Sequence, residues 1–350
     1  MTVAGLPYPF PPMEALTADE IPAPEKDLSW QYEPKWDGFR RIAYRDGDTV
    51  LLQSKSGQPL ERYFPEVVER LRAVATPRFV LDGEIVVPVG RALSFDDLLQ
   101  RIHPAASRIR RLAAERPAWL IVFDLLADGD RTRIDEPLEA RRQALEAFMA
   151  AYATDAPGLI LSPATTDAKA AAAWLSSTAG ALDGVMAKRL GIAYLSGERK
   201  GMLKVKTRRT ADCVVGGFRY GSKTTSVGSL LLGLYDDEGL LHHVGFTSGL
   251  TAADRKALTP KLEKLGGGSG FTGRAPGGQS RWSTERSGEW VPLAPTLVVE
   301  VSYDHYNQGR FRHGTKLLRW RPDKSPKQCT MDQVEPAKRG ASLFAQLAGL

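Results

Sequence analysis

The feature that most constrains the fold is a change of texture near residue 207. Upstream, β-type runs alternate with helical patterns; downstream, short β-rich runs follow one another between Gly and Asp-Glu-Gly turns. The basic run Lys204, Lys206, Arg208 and Arg209 marks the seam, and 350 residues suffice for two domains with a core each. Residues 1–26 read as an extended, irregular arm, because six prolines up to Pro24 work against helix and sheet alike. Residues 27–207 form the first domain. Paired strands are predicted over Trp30–Ser54 with an Asp46-Gly47 turn, and further strands over Phe79–Val87, Trp119–Leu126, Gly184–Lys188 and Met202–Lys206. Helices are predicted over Pro65–Val74, Arg141–Tyr152 and Asp167–Ser176. In residues 208–330, strands at Val214–Phe218, Leu230–Tyr235, Leu240–Phe246 and Leu297–Val301 with one helix, Ala252–Leu265, suggest a small barrel of the OB type. Gly266–Ser280 reads as a long surface loop, and the 331–350 tail ends in a short apolar helix or a frayed end.

Two cysteines, Cys213 and Cys329, exclude a disulfide scaffold and suit a reduced cytoplasm. Five histidines without ligand spacing argue against structural zinc. The N-terminal residues lack the basic-then-apolar pattern of a signal peptide. Leu120–Leu126, interrupted by Asp124, is too short to span a bilayer. A net charge of +6 permits a polyanionic partner without demanding one.

Several polar residues sit where a plain core would not put them. Lys35 opens Lys-Trp-Asp-Gly-Phe-Arg, with Glu33 two residues earlier. A lysine at a strand end is ordinarily solvated; it becomes a nucleophile toward phosphorus only when neutral, which nearby cations favour. Lys204 and Lys206 alternate on one strand face, so both point the same way and are expected to depress Lys35. Asp82-Gly83-Glu84 and Asp183-Gly184 interrupt apolar runs, either as turns or as hard oxygen ligands for Mg²⁺ and acceptors for ribose hydroxyls. Phe123 is core or a stacking surface for a purine. Arg319, Arg321 and Lys324 are a solvated face or a set of phosphate contacts.

The order of these signals is more specific than any one of them. Lys-x-Asp-Gly, Ser-Lys-Ser-Gly, Asp-Gly-Glu, Phe-Asp, Asp-Gly-Val-Met-Ala-Lys, Lys-Val-Lys and Arg-x-Asp-Lys follow one another from Trp30 to Lys324. This series resembles the covalent nucleotidyltransferases and, within them, the ATP-dependent DNA ligases. The length and Phe311-Arg312-His313-Gly314 are similar to the short C-type bacterial repair ligases. The resemblance implies an α+β fold: an antiparallel-sheet, ATP-grasp-like nucleotidyltransferase domain followed by an OB-fold β-barrel. It implies that Lys35 attacks the α-phosphorus of ATP and carries AMP, with Lys204 and Lys206 on the phosphates. By the same resemblance Glu33 reads the adenine amino group, Phe123 stacks on the base, and Arg40 and Glu84 meet the ribose. Asp183, where the family more often has Glu, and Glu84 are the expected ligands of Mg²⁺, for which Mn²⁺ can substitute. Lys55 stands where the family usually has Arg and cannot form a bidentate fork. Lys188 is structural or a phosphate contact. Arg321 and Lys324, with Asp323 and Arg319 alongside, orient the pyrophosphate leaving group.

The implied setting is a monomer in the cytoplasm, associated with the nucleoid, acting on nicked duplex DNA beside a repair primase-polymerase. Membrane contact is not expected. The Gly-rich loop with Arg274 and Arg281 is either an inert loop or a clamp on DNA. An RNA ligase or an mRNA-capping enzyme shares the lysine chemistry and is the alternative.

Overall fold

The computed structural model describes residues 2–3, 5–26, 28–177, 182–207, 209–222, 224–277, 289–334, 343–347 and 349. The chain divides into two compact units, Met1–Thr207 with Lys338–Leu350, and Arg208–Ala337.

The first unit is built on two sheets. In the larger, the Arg78–Val86 strand lies antiparallel between Phe39–Asp46 and Trp119–Asp128, and Thr49–Ser54 forms the edge. Asp46 pairs with Thr49 across a turn in which Gly47 has φ +59°, a conformation that favours glycine. Helix Pro65–Ala73 places Val67, Val68 and Leu71 against this sheet, and Leu138–Tyr152 adds Leu145 and Phe148. Burying each such side chain is worth roughly 1.5–3 kcal/mol.

The smaller sheet has the order Leu16–Ala18, Met202–Lys206, Leu182–Arg189, Trp30–Trp36. Trp30–Trp36 therefore does not pair with Phe39–Asp46, its neighbour in sequence. The N-terminal arm is also not irregular throughout. Leu16–Ala18, a stretch free of proline, pairs in parallel with Met202–Lys206 as an edge strand. Upstream of it, Leu6, Phe10 and Met13 are buried with Ile42, Tyr44 and Tyr194. Helix Leu343–Leu347 packs Phe344 among Trp36, Val86, Ile121 and Leu182. Two helices, Phe95–Gln100 and Ala106–Glu115, were not expected; each buries a single apolar residue, Leu98 and Ile109, too few to mark a period.

In the second unit the strand order is Leu241–Thr247, Val227–Tyr235, Arg209–Tyr220, Val298–Tyr303, Lys316–Trp320. The two outer strands meet: Thr315 N–H donates to Phe246 O at 3.0 Å, and Thr247 Oγ1 donates to Thr315 O at 2.9 Å. The sheet thus closes on itself as a five-stranded barrel, as expected of an OB-type domain. Helix Ala252–Glu263 begins with a Thr251/Asp254 capping box and buries Leu262. Arg319, expected on a solvated face or among the phosphate contacts, lies inside the closing strand. Gly266–Gly277 is loop, pinned by Phe271 against Trp290 and His243. Arg208, Arg281 and residues 278–288 lie outside the described residues.

Candidate active site

Register alone assembles a polar surface on the smaller sheet. Lys35 pairs with Gly184 and Gly184 with Lys206; Glu33 pairs with Met186 and Met186 with Lys204; Gln31 pairs with Lys188. Directly opposed residues share a face, so Gln31, Glu33, Lys35, Lys188, Lys204 and Lys206 all project the same way. Two motif glycines permit this geometry. A Cβ at Gly184, with φ +148°, would stand 2.0 Å from Val205 O, and one at Gly38 would stand 2.3 Å from Ile85 O.

Between the two sheets opens a cleft with about 810 Å³ of empty space, lined among others by Glu33, Lys35, Arg40, Glu84, Phe123 and Met186. The large sheet supplies Arg40 and Glu84, paired across adjacent strands, and Phe123, which sits at a bulge between Val122 and Asp124. That bulge breaks the alternation.

Lys35 Nζ is hydrogen-bonded to Asp183 Oδ2, and Lys206 Nζ lies 3.8 Å from the same oxygen. Burial pulls the Lys35 ammonium down, but Asp183, with Glu84 and Asp37, outweighs it and raises its pKa. The expectation that Lys204 and Lys206 depress Lys35 therefore fails for this state. The depressed amine is Lys204 instead, through burial and the charges of Lys35, Lys206, Lys55 and Arg199. Glu84 is pushed up to about 7 by burial, against the pull of Lys35, Arg40 and Arg41.

Arg40 is held in place on three sides. Its guanidinium forks onto Asp82 at 3.1 and 2.7 Å and donates to Met13 O at 2.6 Å. Tyr194 OH donates to the same Asp82 at 2.6 Å and accepts from Met13 N–H at 3.0 Å. Glu33, 2% exposed, pairs with Lys188 Nζ at 2.8 Å and accepts from Gln31 Nε2 at 2.7 Å. Lys188 Nζ also lies 4.5 Å from the Phe123 ring centroid and 3.4 Å from Phe123 O. Lys188 is thus held at the Glu33 and Phe123 end of the cleft. Lys55, at the cleft mouth, reaches Glu14 Oε2 at 3.1 Å, and Arg199 reaches the same oxygen at 2.9 Å.

Arg319, Arg321 and Lys324 belong to the barrel unit. Arg321 is bonded to Asp212 at 2.9 Å and to Asp323 at 2.8 Å, Lys324 to Asp212 at 3.0 Å, and Arg319 to Glu300 at 2.6 Å. The Arg321 hydrogen bond holds Asp323 down to about 2. Of the loop residues, Arg274 donates to Gln308 O and Gly309 O.

Sequence reasoning missed Gln31, Tyr194, Glu14, Asp212 and Met186 as site residues, and read Asp82 as a turn or an oxygen ligand where the structure makes it the partner of Arg40. Gln31 was legible, since it continues the alternation of Glu33 and Lys35. Nothing local marks Tyr194, 112 residues from Asp82, or Asp212, 109 residues from Arg321.

Residues 12–206 match the family model of the ATP dependent DNA ligase domain, and residues 223–324 that of the ATP dependent DNA ligase C terminal region. The chain is 45% identical over 337 residues to DNA ligase C1 of Mycolicibacterium smegmatis, covering 93% of this chain and 94% of that protein. It is 43% identical over 341 residues to DNA ligase C of Mycobacterium tuberculosis, with 93% and 94% covered. A solved Lig E DNA ligase shares the fold, with a TM-score of 0.51 at 17% identity over 88% of this chain and 100% of that one.

Proposed function

Because this chain belongs to the family of ATP-dependent DNA ligases, enzymes that seal nicks in duplex DNA with ATP, we propose that Lys35 is the residue that carries AMP. The observation that carries this reading is the convergence of Lys35, Lys188, Lys204 and the Phe123 ring on one cleft, with Lys206 on the same sheet face as Lys35 and Lys204.

Lys35 Nζ attacks the α-phosphorus of ATP; a P–N bond forms, the α–β phosphoanhydride breaks, and pyrophosphate leaves. AMP then passes to the 5′-phosphate of the nick, and the 3′-hydroxyl displaces it. An ammonium cannot attack, so the proton that Asp183 stabilises on Lys35 must leave first. With the Asp183 carboxylate turned from Lys35, burial and the charge of Lys204 favour the neutral amine against the weaker pull of Glu84 and Asp37. In this reading Lys204 and Lys206 hold the α-phosphate, Arg40 and Glu84 the ribose, Phe123 and Met186 the base, and Lys55 the outer phosphates.

The donor chemistry around Lys35 suits Mg²⁺. Asp183 and Glu84 offer hard oxygens, and among the described residues no cluster of three or more His, Cys, Asp or Glu could hold a resident ion. Magnesium characteristically takes one or two carboxylates and completes its shell with waters and phosphate oxygens. Bound there with ATP, it would neutralise charge on the phosphates.

On the barrel, Arg321 and Lys324, with Arg319, would exchange their carboxylate partners for the leaving pyrophosphate. From the resemblance to C-type ligases we infer a role in DNA repair, as a monomer in the nucleoid-associated cytoplasm beside a primase-polymerase. Among the described residues no helix is long and apolar enough to cross a membrane. Binding to the nick runs through phosphates and weakens with salt.

The test compares wild type with Lys35→Ala on two substrates. The variant should neither retain label from α-labelled ATP nor seal an unmodified nick, yet should still close a pre-adenylated nick, a step that needs no lysine nucleophile. Normal labelling of the variant would refute the assignment.

A further inference from the structure

Lys188 belongs to a buried, connected polar group of the cleft, and the reaction just described gives it nothing to do. Its ammonium holds one oxygen of Glu33 at 2.8 Å while Gln31 Nε2 holds the other at 2.7 Å. The same ammonium lies 4.5 Å from the centroid of the Phe123 ring and 3.4 Å from its carbonyl oxygen. Lys188 and Glu33 are both nearly sealed from solvent, at 9% and 2% side-chain exposure. One cation therefore fixes two groups from different sheets: the carboxylate on Trp30–Trp36 and the ring on Trp119–Asp128.

The consequence is chemical. A carboxylate in an ion pair has only lone pairs to present. Each Glu33 oxygen has one protein donor and can accept another. An adenine 6-amino group supplies such a donor, whereas the 6-oxo group of guanine meets the carboxylate with an acceptor. The carboxylate selects only if its lone pairs are aimed at the base edge while the base is stacked, so Glu33 and Phe123 must be held in fixed relation. Lys188 is the side chain that touches both.

We propose that Lys188 is a positioning residue for purine selection, acting through Glu33 and Phe123 so that the cleft takes a 6-amino purine nucleoside triphosphate. This rests on the reading of Lys35 as the adenylated residue, and differs from a phosphate-contacting role for Lys188. Because Glu33 keeps protein partners when the base lacks an amino group, selection is moderate, on the order of tenfold, rather than the far larger factor of an unsatisfied buried acceptor.

Initial rates of self-nucleotidylation would be measured with ATP and with purine riboside 5′-triphosphate, which carries hydrogen at position 6. Wild type, Lys188→Met, Lys188→Arg, Glu33→Gln and the Glu33→Gln/Lys188→Met double variant would be compared. Wild type should favour ATP by about tenfold in kcat/KM. Lys188→Met should lose most of that preference, falling about tenfold more with ATP than with the purine riboside nucleotide, with a far-UV circular dichroism spectrum matching wild type to certify the fold. Lys188→Arg should restore part of the preference, and Lys188→Met should add nothing once Glu33→Gln is present.

Equal losses with both nucleotides, additive losses in the double variant, or a wild type indifferent to the 6-amino group would each overturn the proposal. A wild type that takes no label from ATP would instead overturn the assignment of Lys35.

Discussion

Replacing Asp82 by Asn tests whether the Arg40 network is what holds the large sheet's contribution to the site. Asp82 is fully buried and receives three hydrogen bonds, two from Arg40 and one from Tyr194. Asparagine keeps the shape but loses the charge, and turns one acceptor into a donor facing donors. Breaking one partner out of a buried ion pair costs about 3–5 kcal/mol. The Arg40 side chain is 20% exposed, which puts the expected loss at the lower end, about 3 kcal/mol. For a unit of this size each kcal/mol moves Tm by about 2–4 °C, so the first unit should melt on the order of 6–12 °C lower. Circular dichroism melts without nucleotide read this directly, and KM for ATP in self-adenylation should rise in parallel. Adding Arg40→Met removes the stranded charge and should recover part of the lost Tm. A shift below about 2 °C for Asp82→Asn would refute the reasoning.

The barrel makes a pH prediction. Burial, with Arg310, Arg219 and Arg274 nearby, pushes His243 down to about 3 from its ordinary 6.5. Between those values the unfolded chain binds a proton that the folded one does not, so this contribution is full above pH 6.5 and is lost as pH falls toward 3. Urea melts of His243→Leu across that window should show a flatter decline than wild type; an unchanged slope would contradict the assignment. Arg321→Ala and Lys324→Ala should each slow burst labelling by ATP on the order of a hundredfold while affecting closure of a pre-adenylated nick far less. Asp212→Asn, which loosens both cations at once, should reproduce part of that defect. Undiminished burst labelling in the arginine and lysine variants would remove the leaving-group role.

What the sequence revealed was periodic or serial. The strands around Lys35, Glu84, Asp183 and Lys204 were legible as β-type runs, alternating around Lys35 and Lys204 and apolar around Glu84 and Asp183, and the order of the motifs pointed to the family. Four kinds of feature stayed hidden. Short helices such as Phe95–Gln100 bury one residue and leave no period. Long-range polar partners, such as Tyr194 for Asp82 and Asp212 for Arg321, are set by tertiary packing alone. The protonation of Lys35 was misjudged because neighbouring cations were weighed without Asp183, which register places across the strand pair, where it outweighs them. The strand at Leu16–Ala18 was masked by the prolines around it, although only residues that donate to the sheet need be free of proline.

The measurement closest to the central claim is peptide mass spectrometry of the protein after exposure to ATP and magnesium at neutral pH, without DNA. One AMP should be found on the peptide containing Lys35, bonded to that side chain and removed by added pyrophosphate. An adduct on Lys204, Lys206 or any other residue, or no adduct at all, would contradict the account.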